Sequence, residues 1–467
     1  MPIPASSPLP YISPDKSRRE TKAGARRDDH EAAMDAGNAP LAPIREPNAA
    51  QANVVLGLLF LFQTLNFFDK LVFGLSAVPM MHELGLSPKQ FGLIGSSFFL
   101  LFSLSGTLVG LCLTGRVRTK WILAALAVVW CLAQFPIAVG GSVGVLITCR
   151  VLLGAGEGPG LPSALHAAYD WFPAHRRSLP SAVILQGISV GFLVGSPFLT
   201  AVILRFGWHA GFLVCGCLGV VWVVLWAAFG ADGPYAGGAE SGGRPAMAAV
   251  PARALWLDPT IVGVMIMSFT SYWVVGMAAT WLPPYLELGL GYGARTAGWI
   301  ISGVYLLQSP LLLGGGWLSQ TMRKRGWSGR VCLGYGSAAA LFASGAALIA
   351  ATHSSGAIEL VVIAVGFAAP SLTTVFGPVI LSAVAPPVQR GKLVVVIYSA
   401  NAIAGLISTY ATGWIVDAAG VHRGAGFAHA IGLAGLLLLI GAVVSILMLF
   451  PERSISRLAR HAPEEIT

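Results

Sequence analysis

The chain has 467 residues, of which 55% are apolar and 10% are Asp, Glu, Lys or Arg; a soluble globular domain has about 25% charged residues. Residues 1–50 hold 7 of the 29 Lys/Arg and 7 of the 20 Asp/Glu, so the rest of the chain is poorer still in charge. A soluble fold cannot cover its surface at that density, and a disordered chain would be polar throughout. From Gln51 onward the sequence reads as an integral membrane protein.

The net charge of +9 belongs to that membrane part, because the first fifty residues sum to zero. The cations are scattered in short clusters between apolar runs, the pattern of a positive-inside bias, and no nucleic-acid partner is expected. Cys112, Cys131, Cys149, Cys215, Cys217 and Cys332 lie in or beside apolar runs without metal-ligand spacing. They read as small hydrophobes, with no disulfide framework, metal or cofactor implied. Residues 1–50 contain no apolar run, so a cleavable leader is not expected, and this tail reads as disordered.

A bilayer crossing needs about 20 mostly apolar residues. Twelve such runs are expected, roughly at 53–79, 91–114, 120–140, 143–167, 179–203, 210–230, 259–286, 296–319, 330–351, 357–384, 392–415 and 426–450. The turn between the third and fourth is very short, at Gly140, Gly141 and Ser142. The longest hydrophilic break, Ala231 to Trp256, divides the runs six and six. The expected organisation is therefore a tail at 1–50, a half at 51–230, a central loop at 231–257, a half at 258–450 and a tail at 451–467.

With the N-terminus placed in the cytoplasm, the inner loops and C-terminal tail hold sixteen Lys/Arg beyond residue 50. They are Arg116, Arg118, Lys120, Arg176, Arg177, Arg244, Arg253, Arg323, Lys324, Arg325, Arg330, Arg390, Lys392, Arg453, Arg457 and Arg460; the outer loops hold Lys89, Arg205, Arg295 and Arg423. Both termini are expected inside. The halves echo each other: Gly207-Trp-His-Ala-Gly-Phe212 returns 215 positions later as His422-Arg-Gly-Ala-Gly-Phe427, and Pro173-x-x-Arg176 returns 214 positions later as Pro387-x-x-Arg390. A repeat of six crossings is what alternating-access carriers use, with the site near mid-membrane between the halves.

Four charged residues remain deep in apolar runs: Asp69 and Lys70 in the first, Arg150 and Glu157 in the fourth. A charge at mid-bilayer costs at least about 2.5–3.5 kcal/mol, so such residues pair or face a polar cavity. Two structural ion pairs between the first and fourth runs are the plain alternative. Arg150 and Glu157 are two helical turns apart, on one face about 10 Å apart along the axis. Asp69 and Lys70 point about 100° apart, so one is expected in the cavity and the other against the fourth run. The glycines of Gly154-Ala-Gly-Glu-Gly-Pro-Gly160 allow close helix approach, with a kink at Pro159. Fixed cations suit an anionic substrate, and a desolvated carboxylate suits a transported proton.

The C-terminal half offers neutral groups instead: Ser271, Tyr272, Trp273, Gln308, Thr373, Thr374, Tyr398 and Asn401, with Gln186 as a candidate from the other half. Each is as plausible a helix–helix hydrogen bond as a substrate contact. Trp281 and Tyr285 are expected to be outer interfacial anchors. No intramembrane nucleophile motif, paired-aspartate motif, His pair at metal spacing or phosphate-binding loop is present, so an enzyme is not expected. The 26-residue central break is too short for a nucleotide-binding domain.

These residues resemble the major facilitator superfamily and, within it, the anion:cation symporters that carry sugar acids and other carboxylates. Asn66-Phe-Phe-Asp69-Lys70 is similar to the family's Asn-Tyr-x-Asp-Arg pattern. Arg150-x-x-x-Gly154-x-x-Glu157-Gly158, followed by Pro162 and Trp171-Phe172-Pro173, resembles its fourth-helix motif, and Trp281-Leu-Pro-x-Tyr285 its seventh. The resemblance implies an all-helical fold of twelve transmembrane helices in two six-helix halves. It implies Asp69 and Glu157 as proton sites and Arg150, Lys70, Gln186 and Asn401 as substrate contacts. There are departures. Lys70 stands for the usual Arg and lacks its two-pronged grip on a carboxylate. The gate segments Gly110-Leu-Cys-Leu-Thr114-Gly115 and Gly316-Trp-Leu-Ser-Gln320-Thr321 both lack the family aspartate, so the inner gate is expected to rest on other contacts. His209 stands for the usual Arg after Gly207-Trp208.

The expected function is proton-coupled import of a small organic anion by alternating access. Partners are that anion, protons and membrane lipid, in a monomer of the bacterial inner membrane. Tyr272, Trp273, Tyr398 and Thr373 join the expected substrate contacts. An exporter on the same fold and a non-transporting sensor are the rival readings.

Overall fold

The computed structural model describes residues 48–460 apart from 110–111, 113–115, 141, 174–175 and 236–249. The tail at 1–47, most of the first gate segment, most of the central break with Arg244, and residues 461–467 lie outside the described residues. Seventeen helices are built: α1 Ala49–Leu75, α2 Ala77–Glu83, α3 Pro88–Leu108, α4 Thr119–Val139, α5 Val143–Glu157, α6 Gly160–Tyr169, α7 Ser178–Phe206, α8 Trp208–Phe229, α9 Ala252–Trp256, α10 Pro259–Pro284, α11 Ala294–Lys324, α12 Gly336–Ala351, α13 Gly356–Ala368, α14 Leu372–Val384, α15 Pro387–Ala418, α16 Arg423–Met448 and α17 Pro451–Ala459.

Helix starts follow from local chemistry. Asn48 Oδ1 accepts from the Ala50 and Gln51 amides, and Asp258 caps α10 through Thr260 N at 2.9 Å. Ser87 and Gln90 form a reciprocal capping box ahead of α3, with Pro88 in the first turn, where its missing N–H costs nothing. Glycine ends α4 and α7: Gly140 and Gly207 sit at φ 100° and 86°, a region that a side chain disfavours.

Among the described residues, eleven helices or helix pairs are long and apolar enough to cross a membrane. The fourth expected run differs from an unbroken helix. It divides at Gly158–Pro159 into α5 and α6, because Pro159 has no N–H and its ring displaces the preceding carbonyl. The tenth is interrupted in the same way by a short 3-10 turn at Ala369–Ser371, around Pro370. The α3 helix runs to Leu108, and most of the remainder of the second expected run, to 114, lies outside the described residues. Outward-facing apolar side chains such as Leu100, Leu132, Val221, Val361 and Leu447 are exposed, the surface a lipid environment accepts.

The ends of the helices define two faces. One, the base, gathers Lys120, Asp170, Asp232, Asp258, Gly329 and Pro451; the other, the rim, gathers Glu83, Pro88, Gly140, Trp208 and Gly289. At the base the two halves repeat one device. Asp232, just past α8, accepts from the Lys120 amide at the start of α4 at 3.1 Å. Glu452, just past α16, accepts from the Gly329 amide at 2.5 Å and the Arg330 amide at 3.4 Å, where the ninth run begins. Each acid satisfies otherwise orphaned helix-start donors and meets the positive end of the dipole.

The halves meet along two seams. On one, α7 and α11 are joined by Ser196 Oγ to Gly298 O and Ser302 Oγ to Leu193 O, both 2.8 Å, and by Ser309 Oγ to Gln186 Oε1 at 3.1 Å. Between these rungs the Phe192 and Tyr305 rings stack at 3.6 Å. On the other, Ser103 Oγ donates to Ser399 O at 2.5 Å. Nearer the rim, α3 and α15 approach so closely that a Cβ on Gly92 would lie 2.9 Å from Thr409 O. The seams therefore run from the rim to mid-helix. At the base of the first half, Asn53, Leu56, Phe172, Arg176, Leu179, Pro180 and Val183 line a cavity of about 310 Å³.

Candidate functional site

The four membrane-embedded charges are brought together by small residues. A Cβ on Gly154 would lie 1.9 Å from Phe98 O, and one on Gly158 would lie 2.1 Å from Phe102 O. Only glycine permits this contact, and it presses α3 against α5 backbone to backbone. The Phe98 and Phe102 rings are thereby held over the cations. Lys70 Nζ lies 5.7 and 5.8 Å from their centroids and 4.7 Å from that of Phe67. The Arg150 guanidinium lies 4.9 Å from the Phe98 centroid and 4.3 Å from that of Phe73. Ring faces favour a cation here without neutralising it.

Lys70 crosses from α1 to α5. Its ammonium forms an ion pair with Glu157 Oε2, donates to Asn66 Oδ1 at 2.5 Å, and points at the Asn66 carbonyl at 3.5 Å. An ammonium has three hydrogens, and all three have acceptors. The Glu157 side chain is fully enclosed, whereas that of Lys70 keeps 15% exposure. The pair thus reaches open space on its cationic side.

Arg150 is 3% exposed, and its Nε and Nη1 have no hydrogen-bond partner. No carboxylate among the described residues lies within ion-pair distance of it, although it feels the charges of Glu157 and Asp69. A buried guanidinium with unused donors is a binding group in waiting, because each unmade bond to a charged group is costly.

Asp69 forms no ion pair with either cation among the described residues. It is 2% exposed, and its carboxyl lies in a niche with Gln134 of α4 and Cys215 of α8. Gln134 Nε2 donates to its Oδ1 at 2.6 Å, and the Cys215 thiol is a second hydrogen-bonding neighbour. The sequence leaves open which of Asp69 and Lys70 meets the fourth run; it is Lys70. The accompanying expectation that the other faces the cavity does not hold, because Asp69 is buried and its carboxyl is engaged by Gln134.

In the other half, Tyr272, Thr373, Tyr398 and Asn401 share a narrow crevice with Ser268, Ser271 and Thr374. Thr373 Oγ1 is held at 2.8 Å from Ser271 Oγ and donates to Pro370 O at 2.7 Å, a carbonyl in the break of the tenth run. Asn401 Nδ2 has no hydrogen-bond partner among the described residues, and the Ser268 hydroxyl is the neighbour of Tyr398 OH. Trp273 is buried beside this crevice, not in its wall, with its indole N–H also unpartnered. Gln186 lies on the α7–α11 seam with Ser309.

Two expectations are corrected. Trp281 is fully buried, and its N–H donates to Thr409 O at 2.8 Å; Tyr285 is 3% exposed against Phe427. Neither is an interfacial anchor, because Trp281 finds its carbonyl partner inside the bundle and also packs edge-on against Phe91 across the seam. Gln134, Ser268 and Phe98 were not singled out from sequence. A lone amide in the apolar run of α4 was the available signal for Gln134; nothing in the pattern marks Ser268 or Phe98.

A family model described as Major Facilitator Superfamily matches residues 59–374. The chain is 27% identical over 398 residues to the hexuronate transporter of Bacillus subtilis, covering 81% of this chain and 91% of that protein. It is 28% identical over 288 residues to a probable chloroplastic anion transporter of Oryza sativa subsp. japonica, covering 59% of this chain. The match spans about half, 48%, of that plant relative's length. Among solved structures, a bacterial homolog of the human lysosomal transporter Spinster superimposes with a TM-score of 0.75 at 18% identity, covering 88% of this chain and 99% of that one. That structure is described as inward-facing and unoccupied.

Proposed function

The chain belongs to the Major Facilitator Superfamily, and from that premise we propose that it is a proton-coupled carrier importing a small organic anion, a carboxylate such as a sugar acid or an aromatic acid. The observation that carries this reading is Arg150: a buried guanidinium with free donors, two turns along the same helix face from the Lys70–Glu157 ion pair. The names of the relatives, hexuronate and anion transporters, support the same substrate class.

In the proposed organisation the α5–α6 pair is a twelfth crossing, residues 51–230 and 258–450 are the two halves, and the base faces the cytoplasm of an inner membrane. The carrier works as a monomer. With the seams joined from the rim to mid-helix, the site opens toward the base, and rocking of the halves reverses this.

The charges supply the coupling. With all four groups ionised the site is neutral overall, and Lys70 is occupied by Glu157. A proton on Glu157 removes the negative charge from that pair and frees the ammonium. An incoming carboxylate then bridges Arg150 and Lys70, so the anion and the proton each favour the binding of the other. Asp69 is the second proton site. Asn401, Tyr398, Tyr272 and Thr373 contact the uncharged end of the substrate, Trp273 backs that wall, and Gln186 closes the seam beside it. On the base side, higher pH withdraws the proton, Glu157 reclaims Lys70, and the anion leaves.

The test is uptake of a panel of labelled carboxylates into proteoliposomes with an imposed pH gradient. Accumulation of at least one carboxylate above equilibrium, collapsing when the gradient is dissipated, is expected. Equal accumulation with and without the gradient removes the proton, and efflux against the gradient reverses the direction.

A further inference from the structure

The Asp69 niche contains a group that the account so far leaves idle. Gln134 is 0% exposed, and its two amide ends are treated differently. Nε2 donates to Asp69 Oδ1 at 2.6 Å, while Oε1 has no hydrogen-bond partner. An unpaired carbonyl in a sealed site is expensive, and native interiors seldom tolerate one without a use. The carboxyl that already accepts from Nε2 is also the group that could supply a donor. A primary amide and a carboxylic acid form a closed two-bond ring, with amide N–H to acid C=O and acid O–H to amide C=O. Only a protonated Asp69 owns that O–H, because an ionised carboxylate is acceptor-only.

We propose that Gln134 is a positioning residue that holds Asp69 in its proton-bearing form through a two-point acid–amide pair. In this pair, Asp69 Oδ2–H donates to Gln134 Oε1 while Gln134 Nε2–H donates to Asp69 Oδ1. With Asp69 ionised one bond is made and one acceptor is stranded; with Asp69 neutral both are made. The niche is therefore complete only when the proton is aboard. The other groups that Asp69 faces are Lys70 on its own helix, Arg150 and Glu157 on α5, Cys131 on α4 and Cys215 on α8. Among them Gln134 alone presents a free neutral acceptor. The inference rests on Asp69 being a proton site of the proposed carrier, and it places that site between α1, α4 and α8, so that the proton acts by setting how these helices pack.

The experiment uses full-length purified protein in proteoliposomes and compares wild type, Asp69→Asn, Gln134→Leu and the closer isostere Gln134→Met. The readouts are the pH of half-maximal gradient-driven uptake of the carboxylate that wild type carries, its KM at saturating proton concentration, and the infrared carbonyl band of neutral carboxyls. Asp69→Asn identifies the Asp69 band by its loss. Gln134→Met is expected to move the half-maximal pH about one unit to acid, since about tenfold more protons are then needed. The Asp69 band should shift to higher frequency as its carbonyl loses a donor, with KM unchanged within about twofold. If Asp69→Asn alters the pH profile but both Gln134 variants follow the wild-type curve and band, Gln134 is only packing and the inference is overturned. If Asp69→Asn keeps the wild-type profile, the proton reading of Asp69 fails and takes this inference with it.

Discussion

Lys70 is bound by Glu157, whereas Arg150, two turns along the same helix from Glu157, has no acid among the described residues within ion-pair distance. The two cations of the site are therefore unequal: one is already matched and the other is free. A single neutralising event on Glu157 changes the number of free cations from one to two.

In the proposed carrier Arg150 is the permanent anchor. Replacing it with Ala should abolish anion binding, and Arg150→Lys should weaken it severely, since truncating a buried charged partner costs about 2–5 kcal/mol or more. Calorimetric titration of purified variants with the carried carboxylate measures this. Wild-type affinity in Arg150→Ala would return the residue to a structural role.

Gly158 sets the geometry of the cation cage. Gly158→Ala would place a Cβ 2.1 Å from Phe102 O, an overpacking of about 1–3 kcal/mol. The thermal unfolding midpoint should fall, and ligand affinity should fall with it as Phe98 and Phe102 move off Lys70 and Arg150. A variant with unchanged stability and unchanged affinity would show that the α3–α5 contact gives way freely.

The equivalent caps at the base predict equivalent costs. Asp232→Ala and Glu452→Ala each remove a side-chain acceptor from helix-start amides, which typically costs about 0.5–2 kcal/mol. Both should lower the unfolding midpoint by similar amounts, and the effects should add because the sites lie in different halves. Thermal scans of the two single variants and the double variant decide this.

Asp170, just past α6 at the base, supplies a pH signature. Burial raises its carboxyl above the ordinary value of 3.8, against an opposing pull from His166. A raised value in the folded state means that folding favours the neutral acid. That stabilisation is complete below 3.8 and is lost as pH rises through the raised value. Asp170→Asn stays neutral at every pH, so wild type should lose stability relative to it as pH rises above 3.8. Parallel stability curves over that range would contradict the assignment.

The fold was largely legible because hydropathy reports the length and spacing of apolar runs directly. The charges in those runs were legible for the same reason, since nothing else in the chain places Asp, Lys, Arg or Glu so far from water. Direction was not legible. Asp69 and Lys70 differ by about 100° around α1, and whether that turns Asp69 to a cavity or to α4 depends on Gln134, 65 residues away. Trp281 was misread because an interfacial indole and a buried one have the same sequence. What distinguishes them is the Thr409 carbonyl, 128 residues further on.

The central claim is that the substrate anion and Glu157 compete for Lys70, and that a proton on Glu157 settles the competition. Proton uptake on binding measures this most directly. Purified carrier in weakly buffered solution is titrated with the carried carboxylate while a pH indicator counts protons at a pH where Glu157 is ionised. The account predicts that wild type takes up close to one proton per anion bound. It predicts that Glu157→Gln, which mimics the protonated form, binds the anion with no such uptake and fails to accumulate it under an imposed pH gradient. Anion binding by wild type without proton uptake, or equal uptake in Glu157→Gln, would contradict it.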